Sequence, residues 1–519
     1  MPLRLLYISL LVSLSAVAVA HNTYFVYLSD KHLTPYSLTE PEHYLSTRAL
    51  ERRQRQHIAI DSTDLPVSPV YLDSLRHLGA HILHTTRWLN GVSLEADETT
   101  IETIRQLCFV DSVQQTKTDN GTRTPTPKRL PSVITETHDS FSAQWQSRQL
   151  FLHLLHEAGF RGQGMRIAIV DNGFLNIDLI EGMSHALSQV TDTFNLLPAN
   201  GELYGSGAHG TYVTSIIAGL IEDEYEGGAT EAEYVLIRSE DDLTESLLEV
   251  DNQVRAFELA DSTGADIINS SLGYYFFDDT TTNLSYSDLD GRHARNSIAA
   301  TMAARKGMVV CIAAGNERQN TWHYIDTPAD ADSILAVGSV NAEAQSSSFS
   351  SVGPTADGRV KPDIAAMGER AYVISTDGRI SQGNGTSFAS PLIAAAAACL
   401  WQALPELNNI ELIRRIELFA SQALTPDTLI GYGIPNLWDS YLNLTTDLDL
   451  TTDLDNITTR NNPYSYNSNN PDNTNLYNSN SNNNNSNNSY LLYDLLGRPL
   501  SAPPAQGIYI TNGRKKIVR

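Results

Sequence analysis

Four short stretches carry residue types that hydrolytic chemistry needs. Gly383 to Pro391 reads Gly-Asn-Gly-Thr-Ser-Phe-Ala-Ser-Pro, and a small apolar, helix-forming run follows from Leu392 to Leu400. Two glycines and a Thr lead into Ser387 at a helix start. Such a turn exposes one hydroxyl beside backbone N–H groups that favour negative charge. A serine nucleophile needs that setting, although Ser and Thr also cap ordinary helices. The stretch Gly205-Ser-Gly-Ala-His209-Gly-Thr-Tyr-Val213 puts an imidazole at the head of a helix, behind a glycine-rich loop. From there the ring can reach a neighbouring strand end, but an isolated His is more often a satisfied residue. Asp171 closes a short apolar strand, Arg166 to Val170. Open α/β sheets place their sites at such carboxyl ends, and Asp starts turns as readily. Asn316, in Ala313-Ala-Gly-Asn-Glu317, follows a buried strand, Met308 to Ala314. Its amide is a neutral donor, which an oxyanion site requires; an isolated Gly-Asn reads as a turn.

The elements that must position these groups alternate strand and helix through residues 150–442. That order argues an α/β domain with a mainly parallel sheet flanked by helices. Ala265 to Asn269 reads as a further strand running into Ser270-Ser-Leu-Gly273, and Ser287 to Lys306 reads as a helix. Residues 21–115 form a smaller α+β unit. Its strands are expected at Thr23–Leu28, Ala80–Thr86, Gly91–Ala96 and Cys108–Val113, with helices at 41–56, 71–78 and 99–107. Residues 116–149 are polar and read as an exposed linker with nothing to pack.

Taken together, the longer strings resemble the subtilisin-like serine peptidases (subtilases, family S8) of the Bacteroidetes type. His-Gly-Thr-x-Val followed by a small apolar helix resembles the family's histidine motif, and Gly-Thr-Ser-x-Ala-x-Pro its serine motif. Ser350 to Gly368 resembles the segment before the serine, with Met367 in place of the usual proline. The resemblance spans roughly 165–440, in the order Asp171, His209, Asn316, Ser387. That order excludes an α/β-hydrolase, in which the serine comes first and the elbow reads Gly-x-Ser-x-Gly. Here Ala389 stands two residues after Ser387.

The resemblance implies a serine endopeptidase with a subtilisin-like fold, acting on proteins or peptides through an acyl-enzyme. Asp171, His209 and Ser387 would be catalytic. Asn316 and the backbone N–H of Ser387 would form the oxyanion hole. Ser271, Leu272, Gly273, Ala313, Ala314 and Gly315 would form the substrate-binding edges, pairing with an extended peptide. The small amino-terminal unit occupies the place of the family's inhibitory propeptide, which would make it an intramolecular partner. In the family its last strand stays in the active-site cleft after cleavage, and Lys128-Arg129 lies in the expected processing stretch. No metal or other cofactor is required by this chemistry. Asp288-Leu-Asp290-Gly291 is an acidic candidate for structural calcium that lacks the later ligands of a calcium loop.

Composition sets the remaining bounds. The 519 residues carry a formal net charge of −25, which argues against a nucleic-acid partner. The odd count and wide spacing of the three cysteines, Cys108, Cys311 and Cys399, argue against a disulfide framework or a Cys-based zinc site, and Cys311, in an apolar strand, and Cys399, in an apolar helix, are expected to be buried, inert thiols. Residues 1–20 have Arg4, an apolar run from Leu5 to Val19 and Ala18-Val-Ala20, the pattern of a cleaved secretory signal peptide. No other stretch reads as apolar enough to cross a bilayer. Residues 443–489 hold a doubled Leu-Thr-Thr-Asp-Leu-Asp and an Asn/Ser-rich tract with little to bury, and read as a disordered linker. Residues 490–519 regain strand character around Asn512-Gly513, a hairpin signal. They resemble the end of the C-terminal sorting domain of type IX secretion substrates in Bacteroidetes, which would imply secretion machinery as a partner and a secreted or cell-surface location. Two other readings compete with a general secreted peptidase. One is a non-catalytic adhesin on a degenerate peptidase fold, which the presence of all four catalytic residue types argues against. The other is an enzyme narrowed to self-processing or to one partner.

Overall fold

The computed structural model describes residues 22–118, 144–197 and 201–443, with strand segments at 133–134, 492–493, 507–511 and 514–518. The amino-terminal unit comprises β1 (Asn22–Leu28), α1 (Thr47–Arg55), α2 (Pro69–His77), β2 (His81–Thr86), β3 (Gly91–Ala96), α3 (Glu98–Ile104) and β4 (Val110–Lys117). Its sheet has the order β2-β3-β1-β4, with every pair antiparallel. Tyr24, Val26 and Leu28 alternate along β1 and bury against Leu75, Ile101 and Ile104 of the helices. The helix expected over 41–56 is divided into a 3₁₀ turn, Pro41–His43, and α1. The division comes from Ser46, whose side chain accepts from Ala49 N at 3.2 Å and starts a new helix.

The larger part runs through β5 (Val133–Ile134), α4 (Trp145–Gln149), α5 (Leu152–Glu157), β6 (Arg166–Asp171), α6 (Ser184–Ser188), β7 (Val190–Asn195) and α7 (Ala208–Ala218). It continues with β8 (Leu220–Ile221), β9 (Tyr225–Glu226), β10 (Glu233–Arg238), α8 (Leu247–Thr263), β11 (Ile267–Ser270), α9 (Arg295–Arg305) and β12 (Val309–Ala313). It closes with β13 (Leu335–Val340), β14 (Ile364–Met367), β15 (Ala371–Ile374), β16 (Ile380–Gly383), α10 (Thr386–Ala403), α11 (Asn409–Leu418) and α12 (Leu437–Leu442). Seven strands form one sheet in the order β14-β13-β12-β11-β6-β10-β7, and every neighbour is parallel. The mainly parallel α/β sheet expected from the sequence is therefore present. The chain leaves β6 to one side for β7 and β10, then crosses to the other for β11. Open α/β sheets bind their ligands at the carboxyl ends of the strands, where that direction reverses.

The two-residue period of the strands assigns the faces. Ile167 and Ile169 of β6, Ile267 of β11 and Cys311 of β12 join the core beneath α7 and α10. Ala168, Val170, Ile268, Val310 and Ile312 join the opposite core, beneath α8 and α9. By the same period Asp171 and Asn269 fall on the α7/α10 face. Helix α10 is apolar on all sides because the sheet and α5, α7 and α12 surround it. It is long and apolar enough to cross a membrane, contrary to the sequence expectation, but it is the central core helix.

Other differences have local causes. The helix expected from Ser287 begins only at Arg295. Ahead of it, Asp288 accepts from Ser285 N at 2.7 Å and Asp290 accepts from the N–H groups of Arg292 and His293, so these side chains build turns instead. The stretch expected to be unpacked linker contributes β5, in register with Gln382 and Gly383 of β16. It also contributes α4, where the Gln146 amide donates to Tyr372 O at 3.1 Å and accepts from Tyr372 N at 2.8 Å. At the carboxyl end β18 (Gly507–Thr511) and β19 (Arg514–Val518) form the expected hairpin, with β17 (Leu492–Tyr493) alongside. The expected signal peptide and Asn/Ser-rich tract lie outside the described residues. Cys311 and Cys399 are buried, as expected for inert thiols, whereas Cys108 is exposed.

The amino-terminal sheet lies against α8 and α9. Ser93 donates to Asp251 at 3.3 Å, and the Arg295 guanidinium stacks 4.7 Å over Phe25. Glu258 accepts from the backbone N–H groups of Arg87 and Trp88 at 3.1 and 2.9 Å. The fully buried Asp261 receives Arg52, Arg87 and both terminal nitrogens of Arg53, the last at 3.0 and 2.9 Å. Burial opposes ionisation of Asp261, but these guanidinium groups overcome it and hold the carboxyl well below the usual carboxylate range.

Candidate active site

Asp171 ends β6 and is fully buried, while His209 is the second residue of α7. Their contact depends on a close approach of two backbones. A Cβ on Gly210 would stand 2.1 Å from Gly173 O and 3.0 Å from Asp171 Cβ, so only glycine lets the head of α7 lie on the strand end. His209 Nδ1 then meets Asp171 Oδ1 at 2.8 Å. Asn172 braces the junction. Its Oδ1 accepts from Gly210 N at 3.3 Å and its carbonyl from Arg238 Nε at 2.9 Å. Burial works against the imidazolium of His209. The charge and hydrogen bond of Asp171, with Glu240 and Asp242 nearby, outweigh it and raise the His209 pKa above the ordinary value of 6.5.

Ser387 occupies the first turn of α10, buried at 3% exposure. The N-cap residue, Gly385, has no side chain to cap the helix, and Asn316 takes that task from another segment. Asn316 Oδ1 accepts from Thr386 N at 2.9 Å and from Thr386 Oγ1 at 3.2 Å. An amide has one oxygen and one NH₂, so engaging Oδ1 leaves the NH₂ end free, and Asn316 itself is exposed. Ser387 Oγ and His209 Nε2 are both buried without a hydrogen-bond partner among the described residues. Buried polar atoms are rarely left so, and each such case calls for an explanation. A group that forms and breaks bonds during turnover supplies one.

The residues expected to form substrate edges stand at the ends of two adjacent strands. Ser271 to Gly273 continue β11, and Ala313 to Gly315 finish and leave the adjacent β12, both at the carboxyl ends of the sheet. Ser271 and Leu272 are buried and Gly273 is exposed, whereas Ala313, Ala314 and Gly315 are buried. Gly315 is tied to the head of α10, its N–H donating to Thr386 Oγ1 at 3.1 Å.

The sequence reading missed a polar chain beneath the serine. Pro391 stands four residues after Ser387 and has no N–H, so the Ser387 carbonyl loses its usual helical donor. Ser271 Oγ donates to that carbonyl instead, at 3.0 Å. Asn269 Nδ2 donates to Ser271 Oγ at 3.1 Å, and Ser390 Oγ donates to Asn269 Oδ1 at 2.8 Å. Ser390 and Pro391 both stood in the serine stretch, but nothing in the spacing indicated that strand β11 would supply the partners. In the acidic candidate for calcium, Asp288 and Asp290 accept from the backbone N–H groups of Ser285 and Arg292. Among the described residues no cluster of His, Cys, Asp or Glu has the makings of a metal centre.

Comparison with known proteins bears on the family to which the chain belongs. The subtilase family model (Peptidase S8) matches residues 162–433, and the peptidase S8 propeptide domain model of Bacteroidota matches residues 23–129. Subtilisin NAT of Bacillus subtilis subsp. natto is 28% identical over 303 residues, covering 57% of this chain and 72% of the relative. The minor extracellular protease Epr of Bacillus subtilis is 27% identical over 330 residues, covering 62% of this chain and 45% of the relative. Among solved structures, the epidermin leader peptide processing serine protease of Staphylococcus aureus aligns with a TM-score of 0.57 at 15% identity. That alignment covers 82% of this chain and all of the other, and it supports the fold. A family match over more than half of the chain, on a sheet of this topology, establishes that the protein belongs to the subtilase family of serine peptidases and carries that family's Bacteroidota propeptide domain.

Proposed function

We propose that the protein is a secreted serine endopeptidase, made as a self-processing zymogen and working through Asp171, His209 and Ser387. The observation that carries this reading is the pair of unpartnered buried atoms, Ser387 Oγ and His209 Nε2, with His209 Nδ1 tied to Asp171 at 2.8 Å. In turnover, Ser387 Oγ attacks the peptide carbonyl while His209 Nε2 takes its proton. Asp171 keeps Nδ1 protonated and stabilises the imidazolium. The oxyanion is received by the Asn316 side-chain NH₂ and the Ser387 backbone N–H at the positive end of α10. His209 then protonates the leaving amine, and water hydrolyses the acyl-enzyme by the same route in reverse.

The amino-terminal unit acts as intramolecular inhibitor and folding partner, docked through Asp261 and Glu258. Domain limits follow from the chemistry of the segments: residues 1–20 as signal peptide, 21–115 extended by β4 to Lys117 as propeptide, and about 150–442 as the peptidase. Export is supported by the amino-terminal pattern and by the similarity to a protease named as extracellular. The carboxyl hairpin is proposed as the remnant of a sorting signal; unchanged export after deletion of 490–519 would remove that part. The main test is casein hydrolysis with amino-terminal sequencing of wild type against Ser387→Ala. Hydrolysis and loss of the amino-terminal unit by a cut within the linker, in wild type alone, support the reading, since exposed linkers are where chains are cut. A fully processed wild type with no hydrolysis would shift weight to a binding protein.

A further inference from the structure

Among the described residues the buried acids are, with one exception, provided for. Asp261 has three arginines, Asp251 has Arg295 and Asp363 has Lys361. Asp330 accepts from Ser297 Oγ and Gly291 N. Asp326 is the exception. It is 6% exposed, its Oδ1 takes no hydrogen bond, and among the described residues no Lys, Arg or His pairs with it.

Its place in the fold gives this meaning. Asp326 N donates to Ala314 O at 3.1 Å, and the next residue, Thr327, exchanges backbone hydrogen bonds with Tyr274 at 3.1 and 2.9 Å. Residues 326–327 thus span the gap between the two substrate edges. The carboxyl group lies in that gap. A Cβ on Gly315 would come within 2.4 Å of Asp326 Oδ2, and one on Gly273 within 2.8 Å of Asp326 Cβ. Gly315 adjoins Asn316, and Ser271 touches the carbonyl of Ser387. A peptide carbonyl held by Asn316 and Ser387 therefore belongs to a residue whose side chain descends between these edges, towards Asp326.

We propose that Asp326 is the floor of the pocket for the residue that donates the scissile carbonyl, and that it selects Lys or Arg there. This rests on the peptidase reading of the same site. An isolated carboxylate at such burial is costly, and an incoming ammonium or guanidinium is the partner it lacks. Burial, with Glu317 nearby, holds the empty-site carboxyl well above its usual range, while the Trp322 side chain works the other way. A bound cation reverses that balance. The chain carries its own candidate substrate: the Bacteroidota propeptide match ends at Arg129, behind Lys128. Self-cleavage after either residue would fill this pocket.

The test uses fluorogenic peptides that differ only at that residue (Arg, Lys, Leu or Phe), with mature wild type and Asp326→Asn. Active sites are counted with a fluorophosphonate, so that kcat/KM refers to competent Ser387. Wild type is expected to favour Arg or Lys, and the Arg/Leu ratio of kcat/KM to fall about 10²-fold in Asp326→Asn, since a buried charge has lost its partner. Benzamidine, a free aryl amidinium, should inhibit wild type and lose its grip on the variant. A Ser387-dependent cut of the precursor is expected after Arg123, Lys128 or Arg129. An enzyme that titrates but prefers Leu or Phe, keeps its Arg/Leu ratio in the variant, or cuts its own linker after an uncharged residue overturns the inference and leaves the peptidase reading standing. A wild type that does not titrate overturns the peptidase reading, and the inference with it.

Discussion

Replacing Asp261 by Asn should release the amino-terminal unit while sparing the peptidase domain. In the Ser387→Ala background, where the proposed self-cleavage cannot occur, the two units stay in one chain. Asp261 then faces Arg52, Arg53 and Arg87, all buried. Asn keeps the shape, removes the charge that Arg52 and Arg87 are paired with, and turns one acceptor into a donor aimed at guanidinium N–H groups. Arg53 keeps Asp64 at 2.7 Å, which sets the loss at one partner of a network and not the whole of it. Removing one partner of a buried ion pair costs about 3–5 kcal/mol, or roughly 10²–10⁴ in the docked-to-undocked ratio. Once undocked, the introduced amide is solvated, so the cost falls on docking. Hydrogen exchange reads this locally. Amides of α1 and β1–β4 should exchange about 10²–10⁴ times faster, with those of β6 and α10 little changed. Loss of protection below about tenfold, or equal loss in both units, would refute the view that this cluster is the latch. The sign with pH follows from the direction of the shift. The folded carboxyl is held below its unfolded value near 3.9, so its contribution is complete above that value and disappears only as pH falls through the lower folded one.

Three further outcomes follow from the active-site geometry. Because the His209 pKa is raised, its neutral, proton-accepting form is lost at a higher pH than for a free imidazole. The acid limb of kcat/KM should therefore lie above pH 6.5 and move down in Asp171→Asn, with kcat reduced about 10⁴-fold. Asn316→Ala should lower kcat by about 10²–10³ with little change in KM, a magnitude measured in a subtilisin and carried over here; wild-type turnover would remove Asn316 from the oxyanion site. Gly210→Ala puts a Cβ 2.1 Å from Gly173 O, a backbone atom with no freedom to yield. The head of α7 must shift, and a displacement of about 1 Å at a reacting group costs roughly 10² in rate; wild-type kcat in a folded Gly210→Ala would contradict the close-approach requirement.

Much of the site was legible because its groups sit at element ends with local signals. Gly-Thr-Ser before an apolar run marked the head of α10, and a strand ending in Asp171 marked the crevice. What the sequence could not convey is what strands and helices bring together across the fold. Asn269 read as an ordinary strand residue, yet the period of β11 turns it towards Ser390. Pro391 read as part of a motif, but its missing N–H explains why Ser271 bonds the Ser387 carbonyl only once α10 is laid over β11. Asp326 had no local signal, since its importance is the lack of a partner. Errors at boundaries came from side chains competing for backbone N–H groups: Ser46 restarted a helix, and Asp288 and Asp290 delayed one.

The most direct measurement of the central claim is mass mapping of the protein after treatment with a fluorophosphonate. The Asp171–His209–Ser387 arrangement predicts a single adduct on Ser387 in the mature wild type, and none in Ser387→Ala or His209→Ala. A correctly processed, folded wild type that stays unlabelled, or that is labelled equally well without His209, would contradict it.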